Sequence, residues 1–224
     1  HGHVNCLEVI PIGNGFDSED APSLIELCNF MRAYFGVKVR LSECGVPVDE
    51  VAKSGLLQGS QLLCSDAFEY MRSRKMERDV FARIAVTMTD LTPGEGWNFV
   101  YGQALPMDGI GIFSFARHSP NFERVPRRLS AEEKSELLMM SCRTMAHEVG
   151  HLVGLQHCIY FQCIMNGNNG NERTPLVCCP ICLHKLRVGT KFDPQERFAE
   201  LERFYAKHGW ENYQEAMAQR LAVF

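Results

Sequence analysis

The run from His147 to Cys182, HEVGHLVGLQHCIYFQCIMNGNNGNERTPLVCCPIC, constrains this chain more tightly than any other stretch. A helix turns about 100° per residue, so His147 and His151, four apart, share a face and can offer two imidazoles to one cation. Glu148 then stands beside the first ligand, where its carboxylate can reach a water on the cation without binding the cation itself. Gly154 follows three residues after His151, where a helix that must end needs positive φ. The chain can then reverse and bring back His157 as a third ligand. HExxH alone is a short pattern, whereas HExxHxxGxxH fixes five positions. Three protein ligands and one open position describe a catalytic zinc, which lowers the pKa of its water to roughly 7. Glu148 is the candidate general base.

The residues upstream support a helix that carries this motif. Ser130 and Glu133 have the spacing of a capping box. Leu138, Cys142, Met145, Val149 and Leu152 follow at intervals of four and three, forming an apolar stripe. His147 and His151 each lie about 200° around from a stripe residue, so the stripe can face a core while the histidines face a cleft. The alternative is a buried helix with two satisfied histidines, but it leaves Glu148, Gly154 and His157 unexplained.

Cys158, Cys163, Cys179 and Cys182 form C-x4-C followed by C-x2-C, a pattern suited to a closed tetrahedral structural zinc. Cys178 adjoins Cys179 and competes for the role; the two-residue spacing to Cys182 favours Cys179. A redox CxxC lacks a surrounding βαβ pattern, and disulfides are uncommon in reducing compartments. Cys158 directly follows His157. Adjacent side chains of an extended backbone point to opposite sides, so this pair can address two metals. The cysteine zinc is thus expected to pin the loop that delivers the third histidine.

The pattern HExxHxxGxxHC-x4-C-x-M…CxxC resembles the archaemetzincins (archaelysins), a branch of the metzincin zinc peptidases. GWNFVYGQA (Gly96 to Ala104), DGIGIFSFAR (Asp108 to Arg117) and CPICLHKL (Cys179 to Leu186) are also similar to that family, above all to its eukaryotic members. The likeness covers roughly Phe81 to Leu186. It implies a zinc metallopeptidase with a catalytic and a structural zinc, and it casts Met165 as the Met-turn methionine beneath the catalytic zinc. It also implies an edge strand that pairs with an extended peptide substrate. Asp108 to Arg117 is the candidate, with Gly109, Ile110, Gly111 and Ile112 as substrate contacts; the other reading is an ordinary strand with glycines at a bulge. The sequence departs from the family pattern between Met165 and Cys179. The connection is shorter than usual and rich in Gly and Asn, as in a surface loop.

The 224 residues are enough for one good core or two small lobes, with 46% of them hydrophobic. A net charge of −4 gives no electrostatic case for nucleic acid. No apolar run approaches the roughly 20 residues needed to span a bilayer. The start lacks both a methionine and a signal-peptide shape. Of the 10 cysteines, Cys6, Cys28, Cys44, Cys64, Cys142 and Cys178 remain unassigned and show no disulfide framework. The expected setting is cytoplasmic, with extension to the nucleus open. The expected partners are peptide or protein substrates, with no nucleic acid, no membrane and a monomeric state.

The expected fold is α/β (α+β) and metzincin-like, a single catalytic domain over 1–224. Its N-terminal sublobe, 1–154, holds a mixed twisted sheet with backing and active-site helices. Its C-terminal sublobe, 155–224, holds the Met-turn, the cysteine site and helices. Strands are predicted at Val4 to Pro11, Val37 to Leu41, Phe81 to Thr89 and Gly109 to Phe115. Besides the histidine-bearing helix, helices are predicted at Ser18 to Phe35, Ser65 to Lys75, Asp193 to Tyr205 and Glu211 to Leu221. His118, His184 and His208 read as surface or packing residues, and Arg124, Arg127 and Arg128 as a solvated loop. Besides the peptidase, two other functions fit parts of the pattern: a metal-stabilised binding protein without catalysis, and a zinc-finger nucleic-acid binder.

Overall fold

The computed structural model describes residues 5–42, 45–57, 60–167 and 174–223. Val4, Cys44 and residues 168–171 of the Gly/Asn-rich loop lie outside them. The described elements run β1 (Cys6–Ile12), α1 (Leu24–Phe35), β2 (Lys38–Leu41), α2 (Val48–Val51), β3 (Gln61–Leu63), α3 (Cys64–Ser73), β4 (Val80–Thr87), β5 (Asp90–Thr92), β6 (Gly102–Leu105), β7 (Ile110–Ser114), α4 (Ala131–Leu152), α5 (Pro180–Thr190), α6 (Pro194–Lys207) and α7 (Glu211–Leu221). The main sheet has the order β2-β1-β4-β7-β6. Its first four strands are parallel, and β6 closes one side antiparallel to β7. A short parallel pair, β3 with β5, stands apart.

Parallel strands covered by helices on both faces read as nearly continuous apolar runs, as VFARIAVT does in β4. On one face Leu7, Val9, Ala82, Ile84, Val86 and Phe113 pack against α1 and α4. That core continues without a break through Leu155, Met165 and the buried cysteines to α5, α6 and α7. On the other face Ile12, Ala85, Ile110 and Ile112 meet α2 and α3. Phe198, Leu201 and Tyr205 face inward, as their spacing predicts. Arg83, 3% exposed within the sheet, is satisfied by Glu8 and by three carbonyls at the end of α3, those of Met71, Arg74 and Lys75. Among the described residues no helix is long and apolar enough to cross a membrane.

Two expectations change, and one helix is added. The first helix begins at Leu24 rather than Ser18, because Pro22 disfavours helix at Ala21 and Ser23 caps the start by accepting from the Glu26 N–H. A helix follows Cys179, which is its N-cap, with Pro180 in the first turn. The largest change concerns the substrate strand. Gly109, Ile110, Gly111 and Ile112 were expected at the sheet edge, but Ile110–Ser114 is an interior strand, paired to β4 on one side and β6 on the other. Its backbone groups are already used, so it cannot accept a further strand. The edge belongs to β6.

Candidate active site

The helix α4 starts and stops as its sequence dictates. Ser130 accepts from the Glu133 N–H, and the Glu133 carboxylate accepts from the Ser130 N–H, completing the capping box. Arg127 pairs with that same carboxylate, which is what its basic run does here. At the other end Gly154 takes φ +89°. Its N–H donates to His151 O at 3.0 Å, and the Leu155 N–H to Gly150 O at 2.9 Å, the two bonds of a Schellman turn.

The turn sends the chain back and brings the His157 ring to 5.3 Å from that of His147 and 4.9 Å from that of His151. The three histidines place their ligand atoms within 4.8 Å of one another. His147 Nδ1 donates to Ile164 O and His151 Nδ1 to Leu155 O, both at 2.8 Å. Each Nε2 is therefore a bare lone pair, and the two lie 3.2 Å apart. Two lone pairs so close repel unless a cation lies between them. Zn–N bonds of about 2.0 Å in a tetrahedron set nitrogens about 3.3 Å apart, so the donor set fits zinc.

Glu148 is half-buried beside this group, and burial pushes its carboxyl up to about 7. Its Cγ leans on β6, where a side chain on Gly102 would begin 3.2 Å from it. Met165 is fully buried against α4: a Cβ on Gly150 would stand 2.5 Å from its sulfur. Gly150 thus makes room for Met165 between the two helical histidines. The sequence reading passed over Gly150, although a glycine inside a helix signals a close approach. Gly150→Ala is expected to cost about 1–3 kcal/mol by overpacking, measured by chemical denaturation.

The second cluster joins Cys158, Cys163, Cys179 and Cys182, with all four sulfurs within 4.8 Å. Cys158 and Cys179 Sγ are 3.8 Å apart, the spacing of about 3.8 Å that Zn–S bonds of about 2.3 Å impose on a tetrahedron. The Cys179 N–H donates to Cys163 Sγ and the Cys182 N–H to Cys179 Sγ. Cys178 stays outside the group. Its sulfur lies 3.3 Å from the Tyr34 hydroxyl, and its thiol helps hold that of Cys163 down to about 5.

The two clusters are stitched together. The Cys158 N–H donates to Met165 O at 2.8 Å, next to the Ile164 carbonyl that orients His147. Asn166, which the sequence reading placed only in a loop, accepts from the Cys163 N–H and donates to the carbonyls of Cys158 and Phe161. Gly167 lies flat against the His157 ring, 3.2 Å from Nδ1 to where a Cβ would sit.

Two of the discounted histidines have other work. His208 meets Glu26 at 2.7 Å. His118 stacks on Tyr101 at 4.6 Å, and its Nε2 lies 2.8 Å from Thr144 Oγ1. Burial, aided by Arg143, pushes His118 down to about 4. The unfolded chain therefore binds this proton first, and stability falls as pH drops from about 6.5 to about 4. The expected loss is on the order of 2–3 kcal/mol. Urea titrations of wild type and His118→Gln should show their stability difference shrinking by that amount between pH 7 and 4; a constant difference would contradict the assignment.

The model of peptidase family M54 matches residues 67–188. Human archaemetzincin-2 is 37% identical over 206 residues, covering 80% of this chain and 57% of the relative. Human archaemetzincin-1 is 27% identical over 207 residues, covering 80% and 41%. The chain thus spans about half the length of these curated relatives. The crystal structure of archaemetzincin from Methanopyrus kandleri superposes with a TM-score of 0.62 at 24% identity, covering 85% of this chain and 97% of that one. A zinc-dependent peptidase from Methanocorpusculum labreanum gives 0.60 at 20%, covering 80% and 99%. The fold is theirs, and the chain belongs to peptidase family M54, the archaemetzincins.

Proposed function

We propose that this chain is a zinc metallopeptidase that holds one zinc on His147, His151 and His157 and a second, structural zinc on Cys158, Cys163, Cys179 and Cys182. The observation that carries the first part is the pair of bare Nε2 lone pairs 3.2 Å apart, with the half-buried carboxyl of Glu148 beside His147. Zinc bound there supplies Lewis acidity, lowering the pKa of a water to roughly 7 and polarising a peptide carbonyl. Glu148 takes the proton of the attacking water and passes it to the departing amine. Its half-buried carboxyl, on the residue after His147, stands where both transfers need it. Ile164 O and Leu155 O hold the imidazoles of His147 and His151 in the tautomer that leaves Nε2 free. Met165 backs the helix between them.

The outer edge of β6 offers the place for an extended peptide, because no described strand pairs beyond it and Gly102 faces Glu148. Four clustered cysteines serve as ligands only as reduced thiolates, so the proposed setting is intracellular.

The test is metal analysis joined to activity. Zinc-loaded protein should carry two zincs per chain and cleave peptides. Chelation of the histidine-held ion should stop cleavage, and added zinc should restore it. Full cleavage by metal-free protein would overturn the reading.

A further inference from the structure

Met140, Arg143, Thr144, His147 and His151 follow one another along α4 at spacings of three, one, three and four, a single stripe of the helix surface. Arg143 is thus on the face that ends in the two histidines. Its side chain is half-buried, and its Nε is buried without a hydrogen-bond partner. Its terminal nitrogen rests on the Met140 thioether, a weak acceptor. Among the described residues no carboxylate pairs with it. The other described arginines are served or wet. Arg40, Arg72, Arg83, Arg117, Arg127 and Arg128 have carboxylates, and Arg197 has the Tyr34 carbonyl and rings. Arg74 and Arg220 lie over rings, and the rest are exposed. A guanidinium half-withdrawn from water with a donor unspent is arranged for an anion that the described residues do not supply.

The surroundings indicate where that anion comes from. Thr144, next in the chain, meets His118, which stacks on Tyr101, the residue just before β6. Gly102, at the start of β6, faces Glu148. A peptide lying along the β6 edge at Glu148 and continuing toward Tyr101 therefore runs past the middle of α4, one turn before His147, where Arg143 stands. Four residues of helix rise about 6 Å, and helical side chains lean toward the N-terminus, so the guanidinium lies roughly 10 Å from the histidine site. An extended peptide covers that in about three residues.

We propose that Arg143 recognises a carboxylate on the bound peptide, an acidic side chain or a free C-terminus, about three residues from the bond that is cut. This rests on the peptidase reading above and adds a substrate class to it. Arg143 is a recognition residue and takes no part in the proton transfers.

The experiment measures binding first, so that it does not depend on turnover. Zinc-loaded Glu148→Gln protein is titrated with short fluorescent neutral peptides that differ in one Asp, walked along the sequence, each made with a free and an amidated C-terminus. One position, or the free C-terminus, should bind about 10-fold or more tightly than its Asn or amide counterpart, and added salt should erode the ratio. Arg143→Met, which keeps the stem, should bring the ratio below about 2-fold, and Arg143→Lys should retain part of it. The Asp and C-terminal arms identify the source of the carboxylate. No preference in the Glu148→Gln protein that keeps Arg143, or a preference that adding Arg143→Met leaves intact, overturns the proposal. Cleavage by the native chain separates the two readings: turnover without carboxylate preference removes Arg143 alone, and carboxylate-dependent binding without turnover removes the peptidase reading alone.

Discussion

Glu148→Gln is expected to lower peptide turnover by roughly 10²- to 10⁴-fold while the fold and metal content stay as they are. The amide keeps the shape of the side chain and its packing on Gly102, but it cannot take up a proton at neutral pH. Glu148 is not among the clustered ligand atoms, so zinc retention does not depend on it. Its carboxyl is lifted by burial, and a neutral amide suits that half-buried place at least as well. The loss should fall on kcat, with KM moving only a few-fold, because the proposed substrate contacts lie on β6 and the proton transfer belongs to the transition state. Steady-state kinetics with zinc quantified in both proteins checks this. Turnover within 10-fold of wild type would remove Glu148 from the role of base.

Cys182→Ser is expected to damage a metal site it does not touch. Cys182 belongs to the four-sulfur group with Cys158, and Cys158 follows His157 and donates its N–H to Met165 O. Ile164, beside Met165, orients His147 through its carbonyl. Loosening the cysteine group therefore frees the loop that delivers the third histidine and the carbonyl that fixes the first. Loss of such supporting contacts costs about 10- to 100-fold in metal affinity. Structural zinc contributes about 10–16 kcal/mol in small zinc peptides. Losing even about 4 kcal/mol in a chain of this size lowers Tm by roughly 8–16 °C. Competition titration with a zinc-binding dye reads the first effect and calorimetry the second. Unchanged affinity at the histidine site in a folded Cys182→Ser protein would show that the two metals are independent.

Local chemistry was legible in the sequence wherever spacing alone carried it. The capping box of Ser130 and Glu133, the buried stripe from Leu138 to Val149 and the positive φ of Gly154 are each decided by a few neighbouring residues. Other features depend on what arrives from elsewhere in the chain. Gly109 and Gly111 suggested an accessible backbone, but the accessible edge depends on sheet order, and the four residues of β6 carry little pattern of their own. Gly111 instead clears the Phe113 ring, whose nearest carbon would lie 2.8 Å from a Cβ there. The ligand spacing of Cys179 and Cys182 hid a helix that Pro180 announces. Gly150, Asn166 and Gly167 act only once the loop after His157 has folded back onto α4, a contact that no local window contains.

Mass spectrometry of a diverse peptide library tests the central claim most directly, comparing the zinc-loaded chain with Glu148→Gln, each verified to hold two zincs. The account predicts new termini with the native chain and none, or a small residue of them, with the variant. Equal cleavage by both, or none by either with both zincs in place, would contradict it.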